Sequence, residues 1–120
     1  MMEFYRFDAG SGEKVSHFDS DFVLSRIVRT DSAVNIGCMH LGANGVVGYH
    51  QTAAPQLLLV ISGQGAVRSG EESVRIGAGD AVFWTRGEWH ETTSEQGLTA
   101  LVIESAELDP ARYMPSRSMS

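Results

Sequence analysis

Short apolar segments, each closed by a glycine-rich turn, recur roughly every ten residues along this chain, and nowhere does a 3.6-residue apolar period persist for three turns. That pattern excludes a helical bundle and predicts an all-β fold. The segments are Glu3 to Phe7, Phe22 to Val28, Ala33 to Leu41, Val46 to Thr52, Gln56 to Ile61, Ala66 to Arg68, Ser73 to Ile76, Ala81 to Thr85, Trp89 to Ser94 and Leu98 to Glu104. Many short strands leave many edges. Closing or doubling the sheet protects them, which points to a barrel or jelly roll.

With 120 residues, 42% of them hydrophobic, the chain can bury one core and is read as one domain. Its N-terminal strands and loop cover 1–32, the barrel core 33–105, and a tail 106–120. The tail carries two of the three prolines and no periodicity, and is expected to be loosely ordered, with Tyr113 and Met114 available to a neighbouring subunit. A net charge of -6 leaves no basic surface to neutralise phosphates, so no nucleic-acid or membrane partner is expected. The single cysteine, Cys38, cannot form an intrachain disulfide and is read as a small buried hydrophobe. The first residues lack a signal peptide's basic start and apolar run, so the expected location is cytoplasmic.

Strand alternation sorts the side chains. Pro55 ends one strand because it has no N–H for the ladder, and a new one starts at Gln56. If Gln56 points inward, Leu58 and Val60 follow it, leaving Leu57, Leu59 and Ile61 on the other face. Such a strand needs cover on both faces, from a second layer or a partner subunit, and a homodimer is expected. Val46, Gly48, His50 and Thr52 share one face by the same rule; Val34, Ile36, Cys38 and His40 share another, whose direction the mixed pattern leaves undecided. His17 lies in a polar stretch and reads as a solvated loop residue.

Two segments carry chemistry. His50-x-Thr52-x3-Gln56-x6-Gly63 resembles the first cupin motif, and Gly79-x5-Thr85-x-Gly87-x2-His90-x3-Ser94 resembles the second. The resemblance implies a cupin-type β-barrel, a double-stranded β-helix or jelly roll of six to eight strands. It also implies a metal site whose ligand positions are His50, Thr52, Gln56 and His90. In the family these positions read His, His, Glu and His, so here the second ligand is a threonine and the carboxylate an amide.

Imidazole nitrogens suit Zn, Fe, Ni and Mn, and the Gln56 amide can offer an oxygen without a negative charge. The expected metal set is therefore His50, Gln56 and His90 around a divalent transition metal. Thr52 bonds a water or orients a neighbour. His40 reaches the interior if its face turns inward, and whichever of Phe83 and Trp84 points inward supplies an aromatic wall. Glu104 reads as an exposed strand end.

Two functions remain open. One is a metal-dependent oxygenase or isomerase acting on a small organic acid, enol or aromatic compound; the other is a metal-free domain that binds or senses a small molecule. A metal-free isomerase of the sugar epimerase type needs a His base with an acid partner, and no His-Asp pair stands at informative spacing.

Overall fold

The computed structural model describes residues 1–118. Its strands are β1 (Glu3–Arg6), β2 (Glu13–Val15), β3 (Phe22–Leu24), β4 (Val34–Leu41), β5 (Gly45–Gln51), β6 (Gln56–Ser69), β7 (Glu72–Gly77), β8 (Asp80–Trp84), β9 (Trp89–Ser94) and β10 (Leu98–Ser105). Eight of them form one antiparallel hydrogen-bonded network, while β2 and β3 make a separate hairpin. Among the described residues helix is confined to three single 3-10 turns, and none is long and apolar enough to cross a membrane.

The network folds over on β6. The first half of this strand pairs with β8 and β10, giving the layer β1-β8-β6-β10-β4. Its second half pairs with β7 and β9, and β9 pairs with β5, giving the layer β7-β6-β9-β5. The glycine-rich turn expected between the segments ending at Ile61 and starting at Ala66 is therefore a bend within a single strand. Gly63 makes the bend at φ +83°, and the paired strand answers with a register shift between Thr99 and Ala100.

Alternation then builds two cores. Leu58, Val60, Val67, Ile76, Val82, Trp84, Leu98 and Ala100 face between the layers. Leu57, Leu59, Ala81, Phe83 and Ile103 face outward and are covered by Tyr5, Phe7, Ile27, Val28, Leu108 and Met114. The second cover expected for the Leu57 face thus comes from the chain itself.

The tail is correspondingly stitched down rather than loose. Pro115 accepts the backbone N–H of Arg6, the N–H of Arg117 bonds Phe4, and Met114 is only 3% exposed. These contacts occupy the free edge of β1. Residues 119–120, the end of the predicted tail, lie outside the described residues. The predicted strand from Phe22 to Val28 is a strand only to Leu24, because Ile27 and Val28 leave it to pack on the outer core.

Strand β4 behaves differently. It pairs with β10 alone, so its other edge carries no partner among the described strands. Met39 and Leu41 pack against the inner core, which turns Ile36, Cys38 and His40 the other way. Ile36 is 65% exposed, and Cys38 is exposed rather than buried.

Candidate functional site

Strands β5 and β9 bring the two motif histidines together. His50 and His90 are register partners across the ladder, and their ring centroids stand 4.5 Å apart. A register shift between Val47 and His50 makes this possible. Without it, His50 would share a face with Val46, which is exposed on the outside of the sheet. The bulge breaks the alternation read from the sequence and turns His50 inward.

The two rings have different surroundings. His50 is exposed, and its Nδ1 lies 2.7 Å from the Gly48 carbonyl. A carbonyl only accepts, so Nδ1 carries the proton and Nε2 keeps its lone pair. His90 is 2% exposed, and neither of its ring nitrogens has a hydrogen-bond partner. Burial, and secondarily the neighbouring His50, lower its pKa from 6.5 to about 4. Its imidazole is neutral at pH 7, the form that binds metals and accepts hydrogen bonds.

Trp84 closes the inner side of the centre. It is completely buried and stacks on His90 at 4.0 Å between centroids, with 29° between the planes. Gln56 is its register partner on β6, and Glu104 on β10 is in turn the register partner of Gln56. Partners in an antiparallel ladder project to the same face, so Gln56, Trp84 and Glu104 form one row on the inner side. Sequence reading missed this for Glu104, whose relevance lies in the β6–β10 register rather than in local pattern.

Other expectations resolve differently. Thr52 is buried, but it serves as a clasp: its hydroxyl donates to the Thr85 carbonyl at 2.7 Å and its backbone N–H to Glu88. Gly87 donates back to the Thr52 carbonyl at 2.9 Å. These bonds lock the loop after β5 against the turn between β8 and β9, and so hold His50 and His90 in register.

His40 faces outward because Met39 and Leu41 occupy the inward positions of β4, which removes it from the pocket. Phe83 belongs to the outer core, so the inward aromatic is Trp84 alone of the two. Tyr49 and Trp89 stack on each other outside the sheet, with the Arg68 guanidinium 4.2 Å from the Tyr49 ring centroid. A cleft of about 410 Å³ lined by Val46, Ala66, Arg75 and Thr93 lies on that same outer face, apart from the histidines.

Two features of the donor set bear on a metal. Favouring one, both nitrogens of the buried His90 are unpartnered, the Nε2 of His50 is left free by the Gly48 contact, and the two rings stand 4.5 Å apart. Against a strong site, no group of three His, Cys, Asp or Glu side chains among the described residues is placed to hold an ion.

The family model described as "Cupin domain" matches residues 37–104, more than half of the chain. No curated protein matches the chain significantly. Among solved structures, a cupin superfamily protein from Desulfitobacterium hafniense aligns with a TM-score of 0.59 at 14% identity, over 66% of this chain and 72% of that one. A cupin-2 domain containing protein from Shewanella frigidimarina aligns at 0.56 and 13% identity, over 67% and 78%. A Thermotoga maritima protein described as a predicted oxalate decarboxylase aligns at 0.55 and 25% identity, over 58% and 64%.

Proposed function

We propose that this chain, which belongs to the cupin domain family, binds a small organic acid at the His50–His90 centre, with a divalent transition metal (Zn, Fe, Mn or Ni) held by His50, His90 and Gln56. The carrying observation is His90: a buried, neutral imidazole with both nitrogens unpartnered, 4.5 Å from a second imidazole. Leaving buried polar atoms unsatisfied costs about 1–3 kcal/mol, which a bound partner would relieve.

A metal bound there supplies a Lewis acid that polarises a carboxylate or enol oxygen, the chemistry of an oxygenase or isomerase. The chain's own residues do the rest. The Gly48 carbonyl fixes the His50 tautomer and so presents Nε2. Trp84 holds the plane of His90 by stacking and keeps water from its inner side. All three proposed ligands are neutral, so a divalent ion keeps its full charge and favours an anionic substrate at its open positions. The description of the Thermotoga maritima protein as a predicted oxalate decarboxylase is consistent with that substrate class.

A second reading is a metal-free binding or sensing domain for a small molecule. It is favoured by the absence, among the described residues, of any three His, Cys, Asp or Glu side chains able to share an ion. Metal content separates the two readings. Stoichiometric metal in protein purified without supplementation, lost in His50→Ala, supports the first; metal-free protein that still binds a small acid supports the second.

We also propose a homodimer. Its support is the unpaired edge of β4 with Ile36 and Val34 exposed beside it, in contrast to the β1 edge, which the tail occupies. Native mass at micromolar concentration tests it, and monomer alone would refute it.

A further inference from the structure

We infer that the cleft on the outer face of the β7-β6-β9-β5 layer is a second binding site, fitted to a small zwitterion: an α-amino acid with a short apolar side chain. It stands independently of the function proposed for the His50–His90 centre. The cleft encloses about 410 Å³, and Arg75, Glu95, Val46, Ala66 and Thr93 are among the residues that line it. That volume suits a small molecule.

Strand register builds the cleft. Val46 on β5, Thr93 on β9, Ala66 on β6 and Arg75 on β7 are successive partners in one row, and partners in an antiparallel ladder project to the same face. The row runs from an apolar end, where Val46 is 58% exposed, to a cationic end at Arg75. Ala66 keeps the middle shallow, since it offers only a methyl group.

Glu95 supplies the opposite charge from the turn between β9 and β10. That turn is pinned: the Ser94 hydroxyl donates to the Gln64 carbonyl at 2.6 Å and accepts the Gly97 N–H at 2.8 Å, while the Glu95 carbonyl accepts the Asn44 N–H at 2.9 Å. Arg75 and Glu95 line the same cleft, yet neither side chain forms an ion pair or hydrogen bond with any described residue. Elsewhere on this face opposite charges do meet. Arg68 and Glu91 are direct register partners and pair at 3.3 Å. Two strand spacings, roughly 10 Å, separate the Arg75 and Thr93 backbones, and Glu95 lies two residues beyond Thr93, so the second pair of charges borders the cleft without closing on itself.

A ligand that carries both charges satisfies both ends at once. Its carboxylate matches the planar guanidinium fork of Arg75, its ammonium donates to the Glu95 carboxylate, and a short aliphatic side chain lies against Val46 and Ala66. A simple anion meets the repulsion of Glu95, and a simple cation that of Arg75. Each single charge is therefore selected against.

L-Valine tests this, beside isovalerate, which lacks only its ammonium, and isobutylamine, which lacks only its carboxylate. In proton–nitrogen correlation spectra of the full chain, valine is expected to shift the backbone amides of Ala66, Thr93 and Glu95, with a Kd on the order of millimolar, and to leave those of His50 and His90 in place. The two analogues should bind roughly fivefold more weakly, the scale of one ion pair in an open cleft. Arg75→Gln and Glu95→Gln should each weaken valine by a similar factor. With isovalerate the variants should diverge: Arg75→Gln weakens it further, whereas Glu95→Gln removes the repulsion and tightens it.

The absence of any valine shift at these amides at tens of millimolar, or equal binding of valine and isovalerate, overturns the inference, and wild-type protein alone decides both. Valine shifts confined to His50 and His90 would place the ligand at the other centre and overturn it equally.

Discussion

His50 and His90 face one another as register partners of the β5–β9 ladder with ring centroids 4.5 Å apart, one open to solvent and the other buried. The pair is thus open to solvent at one ring and sealed at the other.

The buried member makes stability depend on pH. Folding depresses the His90 pKa from 6.5 to about 4, so between these values the unfolded chain binds a proton that the native chain excludes. Stability of the metal-free protein should be unaffected by this residue above pH 6.5, fall as the pH drops through the window, and reach its full penalty below 4. The penalty is on the order of 2 kcal/mol, allowing for partial solvent screening. Urea midpoints at pH 7.5 and 4.5 should therefore converge in His90→Phe relative to wild type. Equal pH slopes in the two proteins would refute the assignment.

Thr52 occupies a position where the family resemblance implies a histidine ligand, yet restoring that histidine should not create one. Its side chain is 4% exposed and bound to the Thr85 carbonyl, so Thr52→His must break the clasp and force a larger ring into closed packing. The expected loss is about 1–3 kcal/mol, with no gain in metal affinity. Thr52→Val should cost about 1 kcal/mol by removing the hydrogen bond alone. Thermal denaturation and metal titration of both variants check this; tighter metal binding in Thr52→His would show that the loop can refold around a ligand.

The bend of β6 depends on Gly63. Its φ is +83°, and an added Cβ would lie 2.3 Å from the Gly97 carbonyl oxygen, a backbone atom that cannot swing aside. Gly63→Ala should destabilise the protein by at least about 2 kcal/mol, combining left-handed strain with the clash. Gly70 also has positive φ, but its Cβ would meet nothing, so Gly70→Ala should cost about 1 kcal/mol. Similar midpoints for the two variants would contradict this account.

These residues show what was legible beforehand. Short strands and glycine turns sufficed for the all-β class, because that follows from local period, while the meeting of His50 and His90 was legible only through the resemblance of their two motifs to a known family. The bulge between Val47 and His50 was hidden, since it shows only in the register with β9; Gly48, which lies inside it, was the one local sign. The direction of β4 was hidden too. Its two faces read Val, Ile, Cys, His and Asn, Gly, Met, Leu, and only packing of Met39 and Leu41 against the inner core decides between them. The tail escaped because Met114 and Pro115 find their partners more than a hundred residues upstream or across a sheet face.

Gln56 decides the charge of the proposed site. Replacing it with glutamate adds a negative charge beside two neutral imidazoles, and metal affinity should rise roughly tenfold or more, about 1.4 kcal/mol. The same change has an opposite effect without metal. Glu104 is the register partner of Gln56 on β10, so the metal-free variant sets two carboxylates directly opposite each other, an arrangement that destabilises a ladder by about 0.2–1 kcal/mol. Gln56→Glu should therefore melt below wild type when metal-free and above it when loaded, and Gln56→Glu with Glu104→Gln should recover the metal-free loss. Calorimetric metal titration and paired melting curves read both effects. Unchanged metal affinity in Gln56→Glu would mean that this position does not reach the ion, and the His50–His90 centre would then be read as a metal-free binding site.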